Sequence, residues 1–511
     1  GSNCRHASAG QPGSARALTA SAPPEGAVRP LDRSMTVFGA LVLTLSTATP
    51  ASSMFVIVPD VLAEAGSGAL IAMAIAAVIA VFMAQVYAEL ASAFPHAGGE
   101  YAMSGLTLGP LTGFVALGLN LTNTLFGTAA LALGVGTYLS AAIPGLPAIP
   151  TGLATVAVAT LLGVLNIRTG ALITGVFVAV ELLALVILAA LGFAHPARGV
   201  AALLAQPLTV SGGALHPALP AAIGAAVAVS IFAYDGYGAA AYFSEETRSA
   251  RRSVARAILL ALLVTAAAEA IPLVAVLVGA PDLQGLLAAN APFAQFIAAR
   301  GGAALAQGMS LAVALAIVNA VIATLLLSAR QLYASGRDRT WGRPLNRLFT
   351  RLHPRLGSPW ASTLVVGGLV ASLCFLGLKL LLIATGTGAA GIYAILCVAV
   401  LRGRRSGATA RGVYRMPLFP WVPIMTLVAL GGVFVSDALD AEEGRPGLAV
   451  SLSVAVAFAA YYLVRVRQEG GWTPTIIEEA AHAADPITAQ DITPLPARSP
   501  QPFSSDGRED A

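Results

Sequence analysis

Apolar residues run along this chain in long unbroken blocks, with neither the period-two alternation of a half-buried strand nor the single apolar stripe of a surface helix. The blocks lie near 36–64, 68–94, 107–142, 150–167, 170–193, 218–243, 254–280, 303–334, 360–378, 381–401, 420–437 and 447–465. Each reaches or approaches the roughly 20 residues that cross about 30 Å of hydrocarbon as a helix. Helices that are apolar on every side belong in a membrane or a large core. The pattern therefore predicts an all-α polytopic membrane protein with about 12 transmembrane helices over residues 35–467. The flanks, 1–34 and 468–511, are rich in Ala, Gly, Pro, Ser and charge without periodicity, which predicts disordered tails.

Composition narrows the class. With 57% hydrophobic and 11% charged residues, the chain is no ordinary soluble domain. Arginines sit unevenly between the blocks: Arg248, Arg251, Arg252 and Arg256 after the sixth, Arg330 through Arg355 after the eighth, Arg402 through Arg415 after the tenth. The alternate loops carry only Arg198, Arg300, Lys379 and Arg445. By the positive-inside rule the even-numbered loops and both termini are expected in the cytoplasm, with the protein multi-pass in a plasma (inner) membrane. The net charge of +4 is then a topology signal, and nucleic acid is not an expected partner. Lys379, the only lysine, lies in no nucleotide-binding motif, which excludes a self-contained primary pump. The six histidines fall in loops or tails, and Cys4, Cys374 and Cys397 have no paired spacing, so no metal, cofactor or enzymatic centre is expected.

Two blocks are interrupted. The first contains Thr49, Pro50, Ala51, Ser52 and Ser53, an island of small and polar residues around a proline. The sixth contains Phe232, Ala233, Tyr234, Asp235, Gly236 and Tyr237. Proline removes a backbone donor and glycine weakens a helix, so spans 1 and 6 are each expected to split into half-helices. Irregular backbone at membrane depth is tolerated where it lines a cavity, and matched breaks in two halves mark the binding sites of secondary transporters. Breaks about 185 residues apart suit a five-plus-five inverted repeat. The simpler account is a proline kink and packing glycines.

Ionisable residues within the blocks are few, and each is a functional candidate because charge in hydrocarbon is costly. Asp235 lies in the second break, placed either to meet an ammonium group or to cap the broken helix. Glu181, midway along span 5, has no cation within a helical turn and suits ion coupling or an interhelical hydrogen bond. Glu89 closes span 2, while Glu269 and Asp60 read as structural rather than functional, both being within reach of the outer interface. Of the neutral polar groups, Asn319 and Ser328 in span 8 are singled out.

Residues 82–114, FMAQVYAELASAFPHAGGEYAMSGLTLGPLTGF, resemble the second-to-third-helix signature of the amino acid, polyamine and organocation transporter superfamily. Ser244-Glu245-Glu246-Thr247-Arg248, Ser328 through Asp338, His353-Pro354-Arg355 through Pro359 and Tyr414-Arg415-Met416-Pro417 are similar to its later segments, in order. The resemblance covers about 35–465 and implies a LeuT-like 5+5 inverted repeat with discontinuous helices 1 and 6. It further implies a substrate held at Thr49–Ser53 and Ala233–Tyr237, an aromatic lid and gate at Phe232 with Glu89 a second gating residue, and coupling groups among Glu181, Asn319 and Ser328. Where the family often has a Gly-Ser-Gly break, this chain has Pro50-Ala51-Ser52-Ser53: either the Ser52 and Ser53 hydroxyls supply the missing donors, or the substrate lacks a carboxylate. The implied function is a permease for an amino acid or related amine, with protons the favoured coupling ion and sodium or pure exchange left open. Polyamine transport, exchange and, more remotely, a transport-derived sensor are the alternatives.

Overall fold

The structure is a computed structural model that describes residues 31, 33–139, 145–165, 167–289, 291–376, 378–439, 441, 444–468 and 472–475. The expected tails at 1–30 and 476–511 lie outside the described residues. Within them the chain is almost wholly helical. The principal helices are α1 (Val37–Ala48), α2 (Val58–Ala65), α3 (Ala69–Ala93), α4 (Glu100–Leu108), α5 (Pro110–Leu139), α6 (Ala148–Val164) and α7 (Ile167–Ala194). They continue as α8 (Pro220–Ala233), α9 (Ala250–Gly279), α10 (Ala303–Arg337), α11 (Trp360–Leu373), α12 (Leu378–Ser406), α13 (Trp421–Leu439) and α14 (Gly444–Tyr461). A helix satisfies its backbone polar groups internally, which is why such apolar blocks take this form where water is absent.

Nine segments of the described residues are long and apolar enough to span a membrane, the first, Val37–Ala93, holding α1, α2 and α3 together. The blocks near 150–167 and 360–378 appear as shorter apolar helices, Ala148–Val164 and Trp360–Leu376. An all-α polytopic membrane protein follows. Its perimeter is consistent with that: Leu172, Val176, Leu263, Val428 and Leu452 all stand largely bare, an exterior suited to lipid. The only sheet among the described residues is a hairpin, Leu208–Ser211 with Ala214–Pro217, turned by Gly212 and Gly213 at positive φ.

Helices α1 and α7 pack against each other and each against α9 and α10, and the four carry the first break, Glu181, Glu269 and Asn319 between them. Helices α7 and α9 meet backbone to backbone at one end. A Cβ on Gly192 would lie 2.2 Å from the Ala275 carbonyl oxygen, and one on Gly279 would lie 2.4 Å from the Gly192 oxygen. Small residues at such contacts let membrane helices approach closely. Gly192→Val should destabilise the fold by about 1–3 kcal/mol or more, since the clash is with backbone that cannot rotate away. Thermal unfolding of the detergent-purified protein checks this, and an unchanged midpoint would mean the two helices are not locked there.

Candidate functional site

The first break forms where the sequence places Pro50. Helix α1 ends at Ala48, and Thr49 adopts the left-handed region at φ 40°, unusual for a β-branched residue and a sign of backbone held by its surroundings. Pro50 opens a short turn and a wide turn at Ser53–Ile57 leads into α2. The new turn exposes an unpaired N–H at Ala51, and a carboxylate from another helix meets it: Ala51 N donates to Glu181 Oε1 at 2.8 Å. Thr49 Oγ1 donates to the same oxygen at 3.2 Å, leaving Ser52 Oγ to donate to Thr49 at 2.8 Å. An anion at a helix N-terminus is favoured by the orphan donors and by the helix dipole. Glu181 thus does from span 5 what a cap residue usually does locally.

The second break follows Ala233. The N–H of Asp235 donates to Phe232 O at 3.1 Å, Gly236 turns the chain at φ 102°, and a 3-10 helix runs from Tyr237 to Glu246. Gly236 is required here on two counts. Its φ disfavours any side chain, and a Cβ would lie 2.6 Å from Ala48 Cα. The two breaks therefore touch, and Ser53 Oγ ties them by donating to Ala233 O at 2.8 Å.

Asp235 accepts from its following N–H, Gly236, at 2.6 Å and from the hydroxyl of Tyr393. Tyr393 stands edge-on to Tyr87 at 5.9 Å, and Tyr87 edge-on to Tyr237 at 5.9 Å, a small aromatic frame behind the carboxylate. In front of it lies a small pocket lined by Ile231, Phe232, Ala389, Ala390 and Leu430 along with Asp235 and Tyr393. One carboxylate on a mainly apolar wall, flanked by ring faces and edges, is chemistry suited to an ammonium group carried on an apolar body. Phe232, still 38% exposed, forms part of this wall.

The remaining candidates are placed as follows. Asn319 is fully buried on α10, and neither amide atom has a hydrogen-bond partner. Ser328 spends its hydroxyl on Thr324 O within its own helix, at 2.8 Å. Tyr234 is buried with its hydroxyl unpartnered. Glu269, read as within reach of the outer interface, is instead fully buried beside the first break, because α9 turns that face toward Ser53 and Tyr234.

Glu89 belongs to a different arrangement, on the side of the arginine-rich loops. It holds Arg404 through both oxygens at 2.6 Å and accepts from Met416 N at 2.8 Å. Nearby, Glu246 pairs with Arg330 at 2.7 Å, and Glu245 accepts from Arg337 at 2.6 Å and from Ala97 N at 2.9 Å. His96 accepts from Gly98 N on Nδ1, and its Nε2 lies 3.0 Å from Arg337 Nη2 and 3.3 Å from Asp338, which also accepts from Tyr101. Four residues of the stretch assigned to the second tail close over this network. Trp472 inserts between Phe114 and Tyr101 and donates to Thr340 Oγ1 at 3.1 Å, while Thr475 N donates to Asp338 at 3.2 Å. Buried, bidentate pairs of this kind are costly to break singly.

Sequence reasoning did not single out Tyr393, Glu100, or the His96–Asp338 contact. Glu100 follows the Gly98-Gly99 turn and lies buried outside the candidate spans, accepting from Tyr87 at 2.9 Å, Asn120 at 2.7 Å and the Tyr242 hydroxyl. A carboxylate directly after a glycine pair was the available signal, but nothing local says that three donors converge on it.

Long apolar helices, two of them interrupted around buried polar groups, define a polytopic membrane protein. Residues 35–442 match the family model for amino acid permeases, and the chain belongs to that family. It is 31% identical over 350 residues to an uncharacterised transporter of Mycobacterium tuberculosis, covering 67% of this chain and 74% of that one. It is 24% identical to the branched-chain amino acid permease of Lactococcus lactis, covering 80% and 90% of the two chains. With the human cationic amino acid transporter 4 it shares 28% identity over 70% of this chain and 58% of that protein. The protein is a permease and not an enzyme.

Burial pushes the Glu100 carboxyl up to about 7 from 4.5, so between those values the folded state holds a proton the unfolded chain has lost. Stability contributed by the neutral acid is complete below 4.5 and declines as pH rises toward 7, by about 3 kcal/mol at most. Thermal unfolding measured across that window should slope downward for the native protein and less steeply for Glu100→Gln. Equal slopes would assign the pH dependence elsewhere.

Proposed function

We propose that this permease is a secondary active transporter for amino acids or related amines, working by alternating access in a plasma membrane with its arginine-rich side and termini in the cytoplasm. The observation that carries the reading is the meeting of the two breaks: Gly236 lies on Ala48, Ser53 reaches Ala233, and Asp235 opens into an adjoining pocket. Paired discontinuous helices of this kind hold substrate at the midplane of inverted-repeat carriers. In this reading the Asp235 carboxylate receives the substrate's ammonium group, where low dielectric makes the attraction far stronger than in water. The apolar lining receives the side chain, and Glu181 is the coupling group for protons. The relatives' names include permeases for branched-chain and cationic amino acids, which supports the amino acid class.

One observation favours a second substrate class. The donors at the first break that would receive a substrate carboxylate, Ala51 N–H and the Thr49 hydroxyl, are already held by Glu181. An amine without a carboxylate would leave that contact intact. An amino acid would have to displace Glu181, and protonation of Glu181 would let it do so.

Uptake of labelled leucine, arginine and putrescine into proteoliposomes, with and without an inward proton gradient, tests the reading. Gradient-driven accumulation of one of them is the expected outcome, and no transport of any by folded, inserted protein overturns it. Asp235→Asn should raise KM for the transported compound about tenfold or more, the usual scale for losing a charge-assisted contact. An unchanged KM would remove Asp235 from the binding role.

A further inference from the structure

Glu181 and Glu269 sit on parallel neighbours, α7 and α9, whose register is set by the contact of Gly192 with Ala275 and Gly279. Glu181 lies eleven residues before Gly192 and Glu269 ten before Gly279. At 1.5 Å per residue Glu181 falls about 16 Å from the glycine contact, and Glu269 about 9 Å from its Ala275 edge and about 15 Å from its Gly279 edge, so the two lie at similar depth. Glu269 lies within reach of the charge of Glu181.

Their hydrogen bonding is incomplete in a particular way. Glu181 is tied down through Oε1, while Oε2 has no partner. Neither oxygen of Glu269 is bonded; Ser53, the hydroxyl beside it, gives its proton to Ala233 O. The Tyr234 hydroxyl, also beside Glu269 and fully buried, has no partner either. Pro272, three residues further along α9, lacks the N–H that would bond the carbonyl of Ala268, which loosens the turn holding Glu269.

No cation compensates them among the described residues. The buried guanidinium groups of Arg330, Arg337 and Arg404 are engaged by Glu246, Glu245 and Glu89 at the arginine-rich side. The titratable groups that bear on Glu269 from the elements packed against α9 are Glu181 from α7 and Tyr234 from the end of α8. Two carboxylates that share a dry site cannot both remain ionised without a positive charge between them. Three unbonded carboxylate oxygens and a phenol oxygen, with no cationic side chain, form an all-oxygen donor set, the kind that holds a proton or a hard monovalent cation.

We propose that Glu181 and Glu269 form a two-carboxylate site that takes up one monovalent cation, a proton or an alkali metal ion, in each transport cycle. Glu269 is the half of the site that no hydrogen bond ties down, and Glu181 is the half that reports occupancy to the first break through Ala51 N–H. When the site is filled, Glu181 loosens from Ala51 and the break becomes free to take substrate. The proposal rests on the transporter reading and assigns Glu269 a role beyond it.

The test uses the full chain in proteoliposomes with labelled leucine, arginine and putrescine. Uptake is driven in one arm by an inward proton gradient without sodium, and in the other by an inward sodium gradient at equal pH with a protonophore. One arm should drive accumulation by the native protein. Glu269→Gln should lose at least about tenfold of that accumulation while equilibrium exchange of the same compound stays within about threefold, because exchange needs no net cation movement. Glu269→Asp, which keeps the charge, should retain part of the accumulation. Accumulation by Glu269→Gln equal to native overturns the proposal, as does native transport indifferent to both gradients. No transport by the native protein would instead sink the transporter reading itself. Should Glu269→Gln fail to fold, thermal unfolding of the native protein and Glu269→Asp decides. A midpoint that rises with sodium or with protons in the native protein and less in the aspartate variant supports the site, and identical responses overturn it.

Discussion

Backbone polar groups at membrane depth have no water to fall back on, and the rest of this structure depends on how that constraint is met at Ala51. A proline forces the first helix to stop, the restart leaves an orphan N–H, and a carboxylate from the fifth span supplies the acceptor. The consequence is that a charged or chargeable group is anchored at the centre of the protein by a purely structural need. The second break solves the same problem differently. Asp235 caps its own chain at Gly236 and turns its remaining surface to a pocket. One break borrows its anion, and the other brings its own.

Much of this was legible in the chain. Unbroken apolar blocks announce membrane helices, because nothing else tolerates apolar residues on every side. Pro50 and Gly236 announce the interruptions through rules that act within one turn. Glu181 and Asp235 stand out because charge is rare in such blocks. What could not be read is what depends on how distant helices face one another. Glu269 carries the same local signal as Asp60, yet one is fully buried and the other exposed, a difference set by the rotation of α9 against α1 and α7. Tyr393 is an ordinary aromatic in an apolar block until the fold brings α12 against the second break. Block length is a weaker guide to the number of spans: α6 and α11 are apolar but short, and Val37–Ala93 runs two expected spans together, so the nine segments leave the count of twelve untested.

The arginine-rich side is organised on another principle. There the carboxylates of Glu89, Glu245 and Glu246 are each matched to a guanidinium, and backbone N–H groups of Ala97 and Met416 fill further acceptor positions. Charges that are paired and bonded hold elements together without needing a mobile partner. The interior carboxylates beside the first break lack such matches. The same residue type is thus fastening on one side of the molecule and vacant capacity at its centre, and the difference lies wholly in whether an arginine comes with it.

The glycine contact between α7 and α9 sets a tolerance for that centre. Because two backbones touch there, the helices can tilt about the contact but cannot slide past it, and a tilt moves points farther along them in proportion to their distance. A rotation of ten degrees about a pivot some 15 Å away separates two groups by about 2.6 Å, roughly the difference between sharing a proton and being isolated from each other. The spacing of the two acids is therefore a gauge of the angle between their helices, and any motion that opens one side of the protein is written directly into their chemistry.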